Sequence, residues 1–372
     1  MRFKAAISKS DESRFQIADV VLGPLRKDEV LVRIVATGIC HTDAICHEGH
    51  VPIPKPIILG HEGAGIVERI GADVGDLKPG DHVCLTFNSC GECSNCKDSA
   101  PFYCEYFFPA NILGRRLDGS TAITQDNDVT GDAAISAHFF GQSSFAEYSV
   151  ANRNNVIKVP HDVPLDMLGP LGCGIQTGAG AVWNVLKTAR EDRLAIFGVG
   201  TVGLSAIMAA RISQPAMLIA VDPNPIRRAL ALELGATHAV DPTQAQFPGW
   251  FDAHAGRLTQ AIDTTGNPEV VKSIVNSLGA RGTLILLGAA AQGTELRFDL
   301  MHMLNNGITI KSVIEGESNS RKMIPHLIGL YQQGQFPFDR ILRFYDFADI
   351  DIAMADHLSG ETIKPILRIG NA

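Results

Sequence analysis

The feature that most restricts the fold is a regular alternation of apolar strands and helices in the second half of the chain. It begins near residue 175, and each strand is a short apolar run bounded by turn residues. The predicted order is strand Leu194–Phe197, helix Leu204–Ala210, strand Met217–Val221, helix Ile226–Gly235, strand Ala261–Asp263, helix Glu269–Leu278 and strand Thr283–Leu287. Because consecutive parallel strands require crossover helices, this order predicts an α/β domain with a doubly wound parallel sheet.

The first turn of this domain carries a glycine-rich motif. Gly198, Gly200 and Gly203 form the pattern GxGxxG between a predicted strand and a predicted helix. The pattern alone is weak because the chain contains 36 glycines, but this context makes it specific. Glycines let backbone N–H groups approach a pyrophosphate at a helix N-terminus. We predict a dinucleotide site at Gly198, Gly200, Val202 and Gly203; a glycine turn without a ligand is the alternative.

An acidic residue follows where such a site requires one. Asp222 ends the next predicted strand. A carboxylate at this place accepts hydrogen bonds from the adenosine ribose and repels a 2′-phosphate. The sequence therefore predicts NAD rather than NADP.

Chain length and the first half of the sequence indicate a second domain. The chain has 372 residues, whereas a single core stops growing at about 250–300 residues. The first 150 residues contain short β segments separated by Gly and Pro, such as Glu29–Ala36 and Gly65–Gly71. After about residue 314 we predict one helix, Met323–Gln333, and a final strand, Ile363–Ile369. Residues 241–257 depart from the strand and helix pattern, and we assign them no function.

Charge and hydropathy limit the classes of partner. The net charge is −8 and the pI is near 5.8, so no broad cationic surface is available for nucleic acid. No uncharged apolar run reaches the length of about 18 residues that a membrane span requires, and the polar N-terminal residues do not form a signal peptide. We expect a cytoplasmic protein without a nucleic acid or membrane partner.

Four of the eight cysteines lie close together in the sequence, at Cys90, Cys93, Cys96 and Cys104. Four thiolates at this spacing complete a tetrahedral Zn²⁺ site with no open position, which indicates a structural metal. Redox cysteines or packed core thiols are the alternatives. A nucleic-acid-binding zinc ribbon is disfavoured, because the loop carries a net negative charge. It contains one lysine, Lys97, and three acidic residues, Glu92, Asp98 and Glu105.

A second, dispersed set consists of Cys40, His61 and Cys173. Three such ligands leave one tetrahedral position for water or substrate, which is the arrangement of a catalytic zinc. The wide spacing makes this weaker evidence than the four-cysteine loop, because a lone His or Cys is often a packed core residue.

Together these motifs resemble the zinc-dependent medium-chain alcohol dehydrogenases. The segments that carry the resemblance, in family order, are Gly38–Asp43, Gly60–Gly63, the four-cysteine loop, Gly172–Gly174 and Gly198–Gly203. The resemblance implies a mainly β GroES-like catalytic domain at 1–174 with a zinc lobe at about 88–106, a Rossmann NAD-binding domain at 175–314, and a return to the catalytic domain at 315–372. Segments 138–145, 171–178 and 330–339 are similar to the NAD-dependent aryl-alcohol (benzyl alcohol) branch.

The resemblance also implies roles for single residues. Cys40, His61 and Cys173 would bind the catalytic zinc, and Glu62 would lie behind it as an occasional ligand. Asp43 would orient His61, and Thr42 would bond the alcohol oxygen. Near the cofactor we expect four residues: Thr177 by the nicotinamide, Arg227 by the adenosine ribose, and His41 with Lys364 by the pyrophosphate. For Thr42, Thr177 and Arg227 a cap, a turn or a solvated charge is the alternative.

The chain departs from many relatives at the end of the proton relay. Proton loss would run from the alcohol through Thr42 and the nicotinamide ribose, but the usual final histidine is replaced by Ile45. His41 is the nearest titratable candidate, and a relay that ends in water is the alternative. We expect His47 and His50 to be surface histidines.

The substrate expectation depends on the pocket that the resemblance outlines. Phe139 and Phe140 would line it, with Ala289 leaving room for a flat ring, which favours benzyl alcohol and its aldehyde. The alternatives are S-(hydroxymethyl)glutathione, a general primary alcohol, or a non-catalytic protein that binds NAD and zinc. Gly49, Val51 and Phe108 make the expected pocket mouth apolar, which disfavours the glutathione adduct. Relatives imply a homo-oligomer, either a tetramer or a dimer.

Overall fold

The computed structural model describes residues 1–10, 12–125, 135–244, 247–291 and 293–370. In this part of the chain the strands are β1 Arg2–Ser8, β2 Gln16–Leu22, β3 Glu29–Gly38, β4 Ile57–Ile58, β5 Gly63–Ile70, β6 His82–Leu85, β7 Ile123–Gln125, β8 Tyr148–Asn152, β9 Val156–Lys158, β10 Arg193–Phe197, β11 Met217–Val221, β12 His238–Val240, β13 Leu258–Asp263, β14 Leu278–Leu286, β15 Thr309–Ser312, β16 Leu342–Asp346 and β17 Lys364–Arg368. The α-helices are α1 His41–His47, α2 Ser94–Lys97, α3 Phe107–Asn111, α4 Gly174–Gly180, α5 Thr201–Ser213, α6 Pro225–Leu234, α7 Phe247–Trp250, α8 Pro268–Ser277, α9 Leu300–Asn306, α10 Ser320–Gln332 and α11 Ile350–Ser359. The segment at 241–257, which the sequence left unassigned, contains α7 and a π-helical turn, and its residues 245–246 lie outside the described ranges.

The chain divides into two compact units. The first contains Met1–Cys173, Asn319–Ile328 and Asp339–Ala372, and the second contains Gly174–Ser318 and Gly329–Phe338. The sequence analysis places the return at residue 315, whereas residues 315–318 and 329–338 pack with the second unit. Within the described residues no helix combines the length and the apolar character that a bilayer span needs.

The second unit contains the predicted doubly wound sheet. Its strands are parallel and lie in the order β12-β11-β10-β13-β14-β15, with the order reversing between β10 and β13. Strand β10 is buried because its apolar residues are covered on both faces. Helices α6 and α8 both begin with an Asn-Pro pair, in which the asparagine side chain caps the first turn. Because β10 and β11 are parallel neighbours, Gly198 and Asp222, which follow their carboxyl ends, lie at the same edge of the sheet.

The first unit is built around the long strand β3. It pairs with β17, β5 and β8; six strands of the sheet follow the order β16-β17-β3-β5-β6-β9, and β8, the seventh, pairs with β3 outside this order. A smaller sheet has the order β4-β1-β2-β7. Because Cys40 follows β3, His61 precedes β5 and Lys364 begins β17, these pairings bring three distant segments together.

Two histidines near α1 have different surroundings. The prediction that His47 lies on the surface is wrong: it is buried, its Nδ1 lies 2.8 Å from Ser8 Oγ, and its ring stacks on Phe15 at 4.1 Å. The prediction for His50 is confirmed, because 71% of its side chain is exposed. His47 faces inward because α1 packs that side against the apolar core.

His138 gives the first unit a pH-dependent stability. It is buried, and its Nε2 accepts a hydrogen bond from the Ala122 N–H at 3.0 Å. Burial and the charges of Arg116 and Arg26 lower the pKa of His138 to about 3. The unfolded chain therefore binds a proton at His138 near pH 6.5 while the folded chain does not, so stability falls as the pH drops from 6.5 toward 3.

We expect His138→Gln to reduce this dependence, because glutamine offers an acceptor that does not titrate. The free energy of unfolding should decrease from pH 7 to pH 5 in both proteins. We expect the decrease to be about 2 kcal/mol smaller in the variant than in the wild type. Urea unfolding at the two pH values measures the difference. His50→Gln is the matched control and should leave the pH dependence unchanged. An equal pH dependence in His138→Gln and the wild type would contradict this role of His138.

Candidate metal and cofactor sites

The first unit gathers the dispersed ligands predicted from the sequence. One ligand atom each from Cys40, His61, Glu62 and Cys173 lies within 4.8 Å of the others. His61 is buried, and among the described residues its Nε2 has no hydrogen-bond partner. A buried nitrogen without a partner costs about 1–3 kcal/mol, and a metal ion between it and two thiols would remove that cost. The donor set therefore fits a zinc ion.

One carboxylate orients two of these ligands. Asp43 is fully buried, and its Oδ1 lies 2.9 Å from His61 Nδ1. Its Oδ2 accepts the Cys40 backbone N–H at 3.0 Å. The hydrogen bond predicted between Asp43 and His61 is thus present, and it assigns the Nδ1 proton so that the Nε2 lone pair faces the thiols.

The thiol of Cys40 is poised to ionise. A hydrogen bond with Cys173, the Lys364 charge and the His61 ring outweigh burial and hold the pKa of Cys40 well below its ordinary value. The thiolate is the form that binds metals. Thr42 Oγ1 lies 3.9 Å from Cys40 Sγ, on the first turn of α1.

A buried ion pair supports the back of this cluster. Lys364 Nζ donates to both carboxylate oxygens of Glu62, at 2.9 and 2.8 Å, and to the Ile39 carbonyl oxygen at 2.9 Å. A Cβ at Gly38 would lie 2.1 Å from Glu62 Oε2, so glycine leaves the space for this carboxylate. From the family resemblance we expect Lys364 beside the pyrophosphate; in the structure its ammonium group is buried and directed at Glu62 and Ile39.

Two aromatic rings adjoin the histidine ligand. The Phe140 ring stacks on His61 with centroids 4.5 Å apart, and the Phe139 ring meets it edge-on at 5.6 Å. Ala289 belongs to the second unit, where it is exposed after β14. His41 is exposed at the start of α1, and Ile45 is half-buried on the same helix.

The four-cysteine loop forms a separate cluster. One atom each from Cys90, Cys93, Cys96 and Cys104 lies within 4.8 Å of the others. Backbone N–H groups donate to the sulfurs, with Cys93 N 3.3 Å from Cys90 Sγ and Cys90 N 3.3 Å from Cys104 Sγ. Backbone N–H groups of Glu105 and Cys96 lower the pKa of Cys93 to about 6. Four sulfur donors in this arrangement fit a closed zinc site.

The glycine turn of the second unit fits a dinucleotide phosphate. Gly198 has a left-handed φ of 81°, and a Cβ at Gly203 would lie 2.1 Å from the Gly198 carbonyl oxygen. A Cβ at Gly200, by contrast, would meet nothing within 4 Å. Gly200 precedes α5 and offers no side-chain cap to its first turn. The turn thus leaves open space at a helix N-terminus, where an anion is stabilised.

Asp222 is held rigidly beside this turn. It is buried, its Oδ2 accepts the Val199 N–H, and its Oδ1 accepts the Asn224 N–H, both at 2.8 Å. Arg227 Nη1 lies 4.0 Å from Asp222 Oδ2. Arg228, which the sequence analysis did not select, donates to the Asp222 carbonyl oxygen at 2.6 Å and pairs with Asp241.

Comparison with known proteins agrees with this geometry. Residues 26–161 match the alcohol dehydrogenase GroES-like domain, and residues 201–332 match the zinc-binding dehydrogenase family. This chain belongs to the zinc-dependent alcohol dehydrogenase family. Zinc and a nicotinamide dinucleotide are accordingly the cofactors of this dehydrogenase, and its homologues act on small alcohols and aldehydes.

Several relatives of this alcohol dehydrogenase carry more specific names. Geraniol dehydrogenase of Castellaniella defragrans is 42% identical over 98% of this chain and 97% of its own length. The benzyl alcohol dehydrogenase structure from Acinetobacter calcoaceticus has 42% identity and a TM-score of 0.94, and a zinc-binding alcohol dehydrogenase domain protein from Burkholderia ambifaria has 45% and 0.95. In both structural comparisons the match covers 100% of this chain and 100% of the other chain.

Sequence reasoning missed one residue that supports the backbone of this candidate metal cluster. Gln142 is buried, and its amide donates to the His61 carbonyl oxygen at 2.9 Å and accepts the Gly63 N–H at 3.0 Å. It fixes the backbone on both sides of Glu62. Gln142 lies within a segment that carried the family resemblance, but its spacing from His61 gave no indication of contact.

Proposed function

We propose that this dehydrogenase oxidises a primary aromatic alcohol of the benzyl alcohol type to the aldehyde, reversibly, with NAD⁺. The main supporting observation is the stack of Phe140 on His61 with Phe139 edge-on behind it, because it puts apolar aromatic surface next to the proposed metal position. The likeness to a benzyl alcohol dehydrogenase structure adds support. The likeness to a geraniol dehydrogenase favours an allylic alcohol as the second candidate, since both substrates react at the same type of carbon.

In this proposal Cys40, His61 and Cys173 hold the catalytic zinc, and Cys90, Cys93, Cys96 and Cys104 hold a structural one. The catalytic ion, when bound, supplies a Lewis acid that makes an alcohol oxygen more acidic. Asp43 keeps His61 in the ligating tautomer. Glu62 stays behind the ion as an occasional ligand, and Lys364 restrains it.

We infer that the proton of the substrate alcohol leaves by way of the Thr42 hydroxyl group. Thr42 Oγ1, close to Cys40, would accept the hydrogen bond of the substrate hydroxyl and help to pass its proton toward solvent. Ile45 has no group that titrates, so we infer that exposed His41 completes the path to solvent; a water-borne relay is the alternative.

Cofactor selection depends on Asp222. We infer that its carboxylate binds the adenosine ribose of NAD⁺ and repels the 2′-phosphate of NADP⁺, with Arg227 beside the ribose. Gly198, Gly200, Val202 and Gly203 bind the pyrophosphate, and Thr177 contacts the nicotinamide. The hydrogen bonds that the backbone N–H groups of Val199 and Asn224 donate to Asp222 support this assignment, because they fix the position of its carboxylate at the edge of the sheet.

We also infer a homo-oligomer, a dimer or tetramer, that uses the β15 side of the second unit. In the described residues β15 pairs with β14 and is the last strand of its sheet. Helix α9, which precedes it, exposes Leu300, Met301 and Leu304 by 76%, 57% and 69%. Exposed strand edges with apolar neighbours favour association.

A substrate panel tests the proposal. With NAD⁺, we expect kcat/KM for benzyl and cinnamyl alcohol to exceed that for ethanol by about 100-fold, since each ring buries far more apolar surface. NADP⁺ should support little turnover. Phe140→Leu should lower kcat/KM for benzyl alcohol by about 10-fold, because the stacked ring is lost. Phe344→Leu is the control and should have no effect, because the Phe344 ring packs beneath Arg368 and makes no ring contact with His61.

The panel also separates the alternatives. A preference for geraniol over benzyl alcohol would support the allylic candidate. A preference for S-(hydroxymethyl)glutathione would overturn the choice of branch. No turnover of any alcohol by zinc-loaded protein would support a non-catalytic role.

A further inference from the structure

The loop that follows β15 has an unusual backbone. Glu315, Gly316 and Glu317 all have left-handed φ angles, of 51°, 63° and 48°. Glycine adopts this conformation without strain, whereas a residue with a Cβ does not. Glycine at 315 would therefore be the less strained choice, and the glutamate there requires another explanation.

The carboxylate of Glu315 points into the second unit. Glu315 is 7% exposed, and its Oε2 accepts hydrogen bonds from Gln176 Nε2 at 3.2 Å and Thr177 Oγ1 at 3.3 Å. Both donors lie on α4, the helix that begins directly after Cys173. Glu317, two residues further on, instead pairs with Lys311 at 2.6 Å.

Other contacts already attach this loop to α4 and to the π-helical turn Ala181–Leu186 that follows it. Asn184 Nδ2 donates to the Gly316 carbonyl oxygen at 3.1 Å, and Ser318 Oγ donates to the Gln176 carbonyl oxygen at 3.3 Å. A Cβ at Gly316 would lie 2.5 Å from the Thr177 carbonyl oxygen, so the two backbones are in close contact. Because these contacts hold the loop, the Glu315 carboxylate has its main effect on the side chains that donate to it.

We propose that Glu315 is a positioning residue for cofactor binding that acts through Thr177. This rests on the proposed function, in which Thr177 contacts the nicotinamide. A threonine side chain has three staggered rotamers, and the bond to Glu315 selects the one whose hydroxyl faces the loop. The same bond fixes the direction of the Thr177 methyl group. The bond from Gln176 holds the carboxylate in place.

The test measures the Kd of NADH by fluorescence and of NAD⁺ by competition, on the full zinc-loaded chain. We expect Glu315→Ala to raise both Kd values about 5- to 10-fold, which corresponds to the net free-energy contribution of one hydrogen bond. Glu315→Gln, which keeps an acceptor, should restore most of the affinity. Glu317→Ala is the matched control, because it lies in the same loop and has the same backbone conformation, and its Kd should match the wild type.

A double-mutant cycle tests whether Glu315 acts through Thr177. Thr177→Val removes the hydroxyl and keeps the shape. Glu315→Ala should weaken binding no further in the Thr177→Val background. Glu315→Gly separates binding from folding, because it relieves the backbone strain while it removes the carboxylate. We expect it to unfold at or above the wild-type temperature and to bind NADH as weakly as Glu315→Ala.

The outcomes distinguish this proposal from the proposed function. Equal Kd values for Glu315→Ala and Glu317→Ala would overturn the role of Glu315 alone. Independent, multiplying effects of Glu315→Ala and Thr177→Val would overturn the path through Thr177. A wild-type chain that binds neither NAD⁺ nor NADH would overturn the proposed function and, with it, this role.

Discussion

Replacing Cys40 with alanine is expected to reduce kcat/KM for alcohol oxidation by about 1,000-fold or more. The variant removes one of the three ligands proposed for the catalytic zinc, and loss of that Lewis acid would remove several kcal/mol of stabilisation from the reaction. His61 Nε2, which has no partner among the described residues, loses the cation that the site is built to hold. Zinc bound per chain should fall by one, measured by metal analysis after dialysis, while the four-cysteine site keeps its ion.

A matched control is available on the same helix. Cys46 is a buried thiol on α1, the helix that Cys40 precedes, but it lies outside the candidate ligand cluster, and burial raises its pKa to about 12. Cys46→Ala should therefore keep both zinc ions and most of the activity. Full zinc content and normal turnover in Cys40→Ala would show that this cluster is not the catalytic site.

Replacing Cys96 with serine should produce the second large effect, on stability rather than on chemistry. Structural zinc binding contributes folding free energy directly, and a serine hydroxyl is a poor replacement for a thiolate. We expect the Tm to fall by about 10 °C or more and the lobe at residues 88–106 to become sensitive to protease. Calorimetry and limited proteolysis of the purified chain measure the two changes.

Ser94→Ala is the control for this variant. Ser94 lies in the same lobe between two of the cysteines, and its hydroxyl bonds Glu105 at the surface at 3.0 Å. It should keep the zinc and lower the Tm by no more than about 2 °C. A Cys96→Ser chain that melts with the wild type would mean that the four thiols hold no structural metal.

The second unit was the part of the fold most accessible to sequence reasoning. The central strands β10 and β11 are buried and apolar along almost their whole length, and the predicted strand Met217–Val221 has the observed bounds of β11. The helix starts are encoded locally as well, since Asn224 and Asn267 each cap a helix that begins with proline. Local signals of this kind need no knowledge of long-range contacts.

The catalytic cluster required more than local signals. The donors Cys40, His61 and Cys173 are typical zinc ligands, but their convergence depends on the pairing of β3 with β5 and β17, which spacing does not encode. The family resemblance supplied that information. The contact of Lys364 with Glu62, across 302 residues of sequence, and the brace formed by Gln142 became visible only in the structure. His47 was misjudged because its imidazole ring packs inward against Phe15, a contact that its place in the sequence does not reveal.

Zinc K-edge X-ray absorption on the purified wild-type chain can detect both proposed zinc sites at once. We predict two zinc ions per chain and an average of about three sulfur ligands per zinc at about 2.3 Å, together with a histidine nitrogen contribution at about 2.0–2.1 Å. This average arises because one site offers four sulfurs and the other offers two, from Cys40 and Cys173. A single zinc ion per chain with about four sulfur ligands and no histidine signal would contradict the catalytic site proposed here.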